Sequence, residues 1–138
     1  VLSAMAGVTD DLQKLINDDQ AKSKADTLAN ELIAFLREQE PKTTTSPEDR
    51  SSARNLCFLV IDVLRSAKRT ADVEKEFSTV AKRFGTDDQL LGRIADWHTA
   101  NDRPAKARQA YGRFEDQIAG MELIATSYRQ EKDLVQAI

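Results

Sequence analysis

An all-α fold is predicted by three features of the sequence: a composition poor in helix breakers, apolar residues recurring at i, i+3 and i+4, and a recurrence of apolar positions at a spacing of 34 residues. Only 5 Gly and 3 Pro stand against 41% hydrophobic and 31% charged residues, a balance that favours helices. Residues 53–86 and 87–120 align without a gap. Leu56, Cys57, Val60, Ile61 and Leu64 fall on Leu90, Leu91, Ile94, Ala95 and His98, and Val73, Phe77, Val80 and Phe84 fall on Ala107, Tyr111, Phe114 and Ile118. The identities are Asp62/Asp96, Arg69/Arg103 and Ala71/Ala105, so what recurs is a pattern of burial. The expected architecture is a stack of antiparallel helix hairpins, an α-solenoid of seven or eight helices. At 138 residues the chain suits one domain with a core that needs no disulfide or metal.

Along the chain, Thr9 followed by Asp10 and Asp11 makes a helix start, and Leu12, Leu15 and Ile16 give it a short apolar stripe. Ala25, Leu28, Ala29, Leu32, Ile33 and Leu36 predict a second helix over about 21–39, so residues 9–39 form an N-terminal helix pair. The stretch 40–47, with Pro41, Thr43, Thr44, Thr45 and Pro47, reads as an exposed linker before the repeats of 48–138. Ser46 as N-cap, Pro47 in the first turn, then Glu48 and Asp49, start a helix running to about Ala67. A helix over about 71–84 follows, capped by Thr70 and closed by Gly85. Thr86 and Gln89 form a capping box opening a helix to about Ala100. After a turn at 101–104, Pro104 starts a helix to about Ala119, and a last helix begins near Met121. A spacing of 34 makes that last helix continuous, whereas a spacing of 30 places a turn near Lys132 and Asp133, which is the preferred register.

A net charge of −3 and a pI near 5.2 provide no long-range attraction to nucleic acid or an anionic membrane. No apolar stretch is long enough to span a bilayer, since Leu56 to Leu64 is short and contains Asp62. The single Cys57 lies in an apolar run, where a thiol packs as a small hydrophobe. The Val1 start and the end at Ile138, directly after a helical pattern, lead to the expectation of a fragment or mature part of a longer chain, cytoplasmic unless a signal peptide has been removed. An uncapped C-terminal end would also allow self-association.

The 34-residue helix-turn-helix unit resembles the tetratricopeptide repeat family over residues 54–138. In residues 88–121 the family's two small crossing residues fit Ala95 and Ala107, its aromatic fits Tyr111, and Leu91, Ile94 and His98 take the large positions of the first helix. In residues 54–87 Ile61 and Val73 stand at the small positions and Phe77 at the aromatic one. Lys68 and Asp102 replace the usual turn Gly, and Gly85 and Ala119 replace the closing Pro. The resemblance implies a groove lined by the first helices of successive repeats, receiving a peptide or helix of a protein partner. Its lining would be Asn55, Phe58, Leu59 and Asp62, then Gln89, Gly92, Arg93, Asp96 and Thr99. Phe58 and Leu59 against Gly92 would make an apolar slot, or else pack beneath the N-terminal helix pair. Family members that clamp an acidic tail use Lys and Asn where this chain has Phe58, Asp62, Gly92 and Asp96, which argues against that ligand.

Trp97 is either a ridge against another layer or an exposed anchor for a partner. His98 occupies a packing position, and one His with one Cys in separate stripes makes neither a zinc site nor a catalytic pair. The acidic groups Asp10/Asp11, Asp18/Asp19, Asp72/Glu74/Glu76 and Asp87/Asp88 read as caps or solvated faces. Neither a Gly-rich phosphate loop nor a nucleophile motif is present, so no catalytic residue, cofactor or metal is expected. Arg65, Lys68 and Arg69, with Arg103, Lys106 and Arg113 one repeat later, could form a basic edge for nucleic acid, without the interleaved aromatics that stack bases. The expected function is a non-catalytic protein-interaction module. The alternatives are a nucleic-acid-binding accessory domain and a structural domain packed on a missing catalytic part.

Overall fold

Pro47 and its neighbours show how local chemistry sets the helix boundaries. In the computed structural model, which describes residues 22–43 and 45–137, Ser46 is extended at φ −86° and its hydroxyl accepts from the Asp49 amide at 3.1 Å. Pro47 then occupies the first turn, where no amide hydrogen is needed. Six helices lie among the described residues: α1 (Lys22–Glu38), α2 (Pro47–Ser66), α3 (Thr70–Phe84), α4 (Asp88–Ala100), α5 (Pro104–Gly112) and α6 (Gln117–Ala137). The described chain is helical without a strand, as expected. The helix predicted around Leu12, Leu15 and Ile16 lies outside the described residues.

The chain divides into two compact units at Phe84/Gly85, where Gly85 takes φ +84°. That left-handed conformation carries no steric cost without a Cβ. In the first unit α1 packs on α2 and α2 on α3. Its core holds Ala25, Ala29 and Leu36 of α1, Cys57, Val60, Ile61 and Leu64 of α2, and Val73, Phe77 and Val80 of α3. In the second unit α4 packs on α5 and α5 on α6. Leu91, Ala95, Ala107 and Ala110 are buried together there, with Ile94, Tyr111 and Phe114 against them.

The turns between α2 and α3 and between α4 and α5 are conformational copies 34 residues apart. Lys68 has φ +57° and Asp102 φ +58°. The Arg69 amide donates to Leu64 O at 3.0 Å and the Lys68 amide to Arg65 O at 3.0 Å; in the second turn Arg103 donates to His98 O at 2.8 Å and Asp102 to Thr99 O at 3.2 Å. Each pair of bonds is a Schellman closure, with its left-handed residue at the position where glycine is favoured. The recurrence therefore extends from side-chain pattern to backbone hydrogen bonding.

Beyond Phe114 the copy fails. The helix expected from Pro104 to about Ala119 ends at Gly112, and α6 begins at Gln117 rather than Met121. Helix α5 closes at Gly112 with Arg113 and Phe114 donating to Ala110 O and Tyr111 O, and the Asp88 carboxylate then accepts from the Glu115 amide at 2.7 Å and the Asp116 amide at 3.1 Å, supplying partners to the amides after the break. Asp116 in turn accepts from the Ala119 amide at 3.1 Å and starts α6. Ile118, aligned with Phe84, is consequently 73% exposed. The turn preferred near Lys132 and Asp133 is absent, since α6 is continuous to Ala137. The predicted capping box at Thr86 is also displaced: Asp87 is the N-cap of α4 and accepts from the Leu90 amide at 3.0 Å. A carboxylate one residue later offers the stronger, charge-assisted cap.

The turn geometry gives a direct test. Lys68→Gly removes the Cβ from a left-handed residue and should raise stability by up to about 1 kcal/mol. Asp102→Gly should gain less, because Asp tolerates this conformation better than Lys. Urea unfolding of each variant measures both effects, and a loss of stability at Lys68 would contradict the turn assignment.

Candidate functional site

Helix α4 turns Leu91 and Ala95 into the core of its unit, and this orientation determines what its other side presents. At 100° per residue, Gln89, Gly92, Arg93, Asp96 and Thr99 share one arc, whose centre is opposite the mean direction of the buried Leu90, Leu91, Ala95 and Trp97. Gln89, Asp96 and Thr99 are exposed, and Gly92 and Arg93 are half-buried. The five residues thus form one polar face with a glycine in it. A Cβ built at Gly92 would lie 3.8 Å from Phe114 Cζ, an ordinary contact, so the position is open to a small side chain. Burial, and then the Asp96 carboxylate, raises the Tyr111 phenol above its usual range, which ties this face to the aromatic beneath it. Tyr111 meets Phe114 edge to face, with centroids 5.7 Å apart.

On α2, Asn55 is exposed, Leu59 and Asp62 are half-buried, and Phe58 is buried with the Arg54 guanidinium 5.2 Å from its ring centroid. These four belong to the first unit and the α4 face to the second. Of the two roles open to Trp97, its burial matches the packed ridge: it is 5% exposed and Arg103 lies 5.9 Å from its ring centroid. The small crossing residues Ala95 and Ala107 are in one cluster with Tyr111, and Ile61, Val73 and Phe77 are buried at the corresponding places of the first unit. His98 is half-buried.

Among the basic residues, Lys68, Lys106 and Arg113 are exposed. Arg65 and Arg103 are half-buried, as is Arg69, which donates to Asp72 at 2.8 Å and to Asn30. Its charge is therefore largely committed within the fold.

A charged cluster inside the first unit lies outside every sequence expectation. Glu76, read as solvated, is 6% exposed, because it occupies the buried stripe of Val73, Phe77 and Val80 on α3. Arg37 of α1 donates to its Oε2 at 3.0 Å. Glu40, assigned to an exposed linker, is half-buried and paired with Arg83 at 3.1 Å. Cys57 lies beside that pair, accepting from Arg83 at 3.6 Å and donating toward Glu40 at 3.9 Å. Arg50 closes the same end by donating to Arg83 O at 3.1 Å, while its guanidinium lies over Phe84. Periodicity alone could have flagged Glu76, since position 76 falls on the same face as 73, 77 and 80.

Among the described residues no three His, Cys, Asp or Glu side chains are grouped to hold a metal ion, and no helix is long and apolar enough to cross a membrane. Comparison with protein-family models, curated proteins and solved structures finds no match.

The cluster generates two expectations. Burial, and then the negative charge of Glu76, pushes the Cys57 thiol from 9.0 up to about 11. At pH 8 about 0.1% is thiolate, so native Cys57 should label with a thiol reagent far more slowly than the urea-unfolded chain. The unfolded thiol loses its proton first, so its contribution to stability falls as pH rises from about 9 to 11. Arg37→Ala should cost about 1–3 kcal/mol by leaving a buried carboxylate without its cation. Adding Glu76→Leu should recover most of that loss, as measured by denaturant unfolding.

Proposed function

We propose that this chain is a non-catalytic protein-interaction module of tetratricopeptide type, with solenoid-like stacking of its hairpins, that offers the outer face of α4 to a peptide or helix of a partner. The observation that carries the proposal is the pair of matching Schellman turns at Lys68 and Asp102, 34 residues apart. Repeated hairpins of this period are built to display one helix face. Further support comes from the α4 face itself, where Arg93 and Asp96 lie to one side of Gly92: opposite charges beside a position without a side chain suit a peptide backbone and a small side chain. The engagement of Arg69 by Asp72 and Asn30 removes one cation from the basic edge, whose exposed members are Lys68, Lys106 and Arg113.

Peptides selected from a displayed random library test the proposal. Bound peptide should shift the amide resonances of Gln89, Gly92, Arg93, Asp96 and Thr99, and Arg93→Glu should weaken binding about tenfold. Shifts confined to other surfaces, or affinity indifferent to Arg93→Glu and Gly92→Phe, would overturn it.

A further inference from the structure

Helix α6 outlasts the helix it packs on. It has 21 residues and α5 has nine, or about 31 Å against about 13 Å of length. Its inner line is set by buried Gly120, where an added Cβ would come 2.4 Å from Tyr111 O, and by half-buried Ile124, Ser127 and Glu131. Arg108 of α5 fastens this line, donating to Ser127 at 3.2 Å and Glu131 at 2.7 Å. About a third of a turn away runs a second line with alternating steps of three and four residues: Ile118, Met121, Ala125, Tyr128, Lys132 and Val135. Ile118 is 73%, Met121 68%, Tyr128 58% and Val135 69% exposed. That alternation is the seam of a coiled coil.

We infer that this seam pairs two copies of the chain in an antiparallel, two-fold dimer. Charge and side-chain size choose both the occupant and the direction. A parallel, in-register pair would put Lys132 against Lys132 in the seam and leave Glu122 facing Gln117. An antiparallel pair centred between Thr126 and Ser127 sets Ile118 against Val135, the small Ala125 against the large Tyr128, and Met121 against the aliphatic stem of Lys132. The same alignment brings Glu122 of each copy beside Arg129 and Lys132 of the other, twice by symmetry. Glu122 and Arg129 are both exposed, and Arg129 donates to Thr126 within its own helix at 3.2 Å. The face is thus self-complementary in one direction only.

Sedimentation velocity of the full chain over a micromolar concentration series should show a monomer–dimer equilibrium. Ile118→Glu or Val135→Glu should raise its Kd about tenfold or more without changing the far-ultraviolet circular dichroism, because both positions are exposed, whereas Tyr128 also carries the Arg108 guanidinium 4.1 Å from its ring centroid. Glu122→Lys alone, and Arg129→Glu with Lys132→Glu alone, should each weaken the dimer. An equimolar mixture of those two variants should restore it, because every cross pair in the mixed antiparallel dimer is again of opposite sign. A monomer at all concentrations, a dimer indifferent to these changes, or a mixture no tighter than its components would overturn the inference.

Discussion

The two left-handed turn residues, Lys68 and Asp102, are the constraint from which the hairpins follow. A helix end leaves carbonyls without partners, and the Schellman closure satisfies them while reversing the chain within three residues. Only with the chain reversed so tightly can α3 lie along α2, and α5 along α4, with Val73 and Ala107 buried at equivalent places near the start of the second helix. Neither turn uses glycine, so each retains some strain. Packing in the hairpin offsets it: in the second unit the small pair Ala95 and Ala107 lets the helices approach, and Tyr111 and Phe114 pack against the cluster they form.

The first unit meets a different demand, because α3 places a carboxylate among its core positions. The residue aligned with Glu76 in the second unit is Ala110, also buried. An apolar residue needs no partner, whereas buried Glu76 does, and Arg37 of α1 supplies it. Arg83 and Glu40 then join the end of α3 to the segment after α1. The extra helix α1 is therefore coupled to α3 by charge as well as to α2 by packing. Cys57 beside these pairs is kept as a neutral thiol by its burial.

What the sequence reveals depends on how far apart the deciding residues lie. The Ser46–Pro47 start, the Gly85 stop and the buried stripes of α2 and α4 are encoded within a few residues and were legible. Thr86 does not cap the helix because Asp87, one residue on, caps it with a charged oxygen that takes the Leu90 amide. The break at 113–116 had one local sign, Gly112, but the bond that holds it comes from Asp88, 27 residues before Glu115. The Glu40–Arg83 pair, 43 residues apart, is hidden for the same reason. On the α4 face, helical spacing placed all five residues on one arc, because burying Leu91 and Ala95 dictates what faces outward. Trp97 was open to the same argument, since it lies seven residues after Leu90 and shares the direction of that buried side chain.

The break after Gly112 also explains why the second repeat ends in a new surface. In the first unit α3 continues through Phe84, which is half-buried beneath Arg50 and Arg83. In the second, the carboxylate of Asp88 takes two amides that helix continuation would otherwise have turned inward, and the chain leaves the repeat path four residues before Ile118. Gly120 then fits α6 against the Tyr111 carbonyl, an approach that any side chain would block. The angle set by that contact turns Gly120, Ile124 and Ser127 inward and leaves Ile118, Met121 and Tyr128 outside. The apolar seam of α6 is thus a consequence of where the repeat is cut. The stop at Gly112, the Asp88 bonds to the next amides and the close seat of Gly120 together leave an open helix face where the first unit has the buried end of a hairpin.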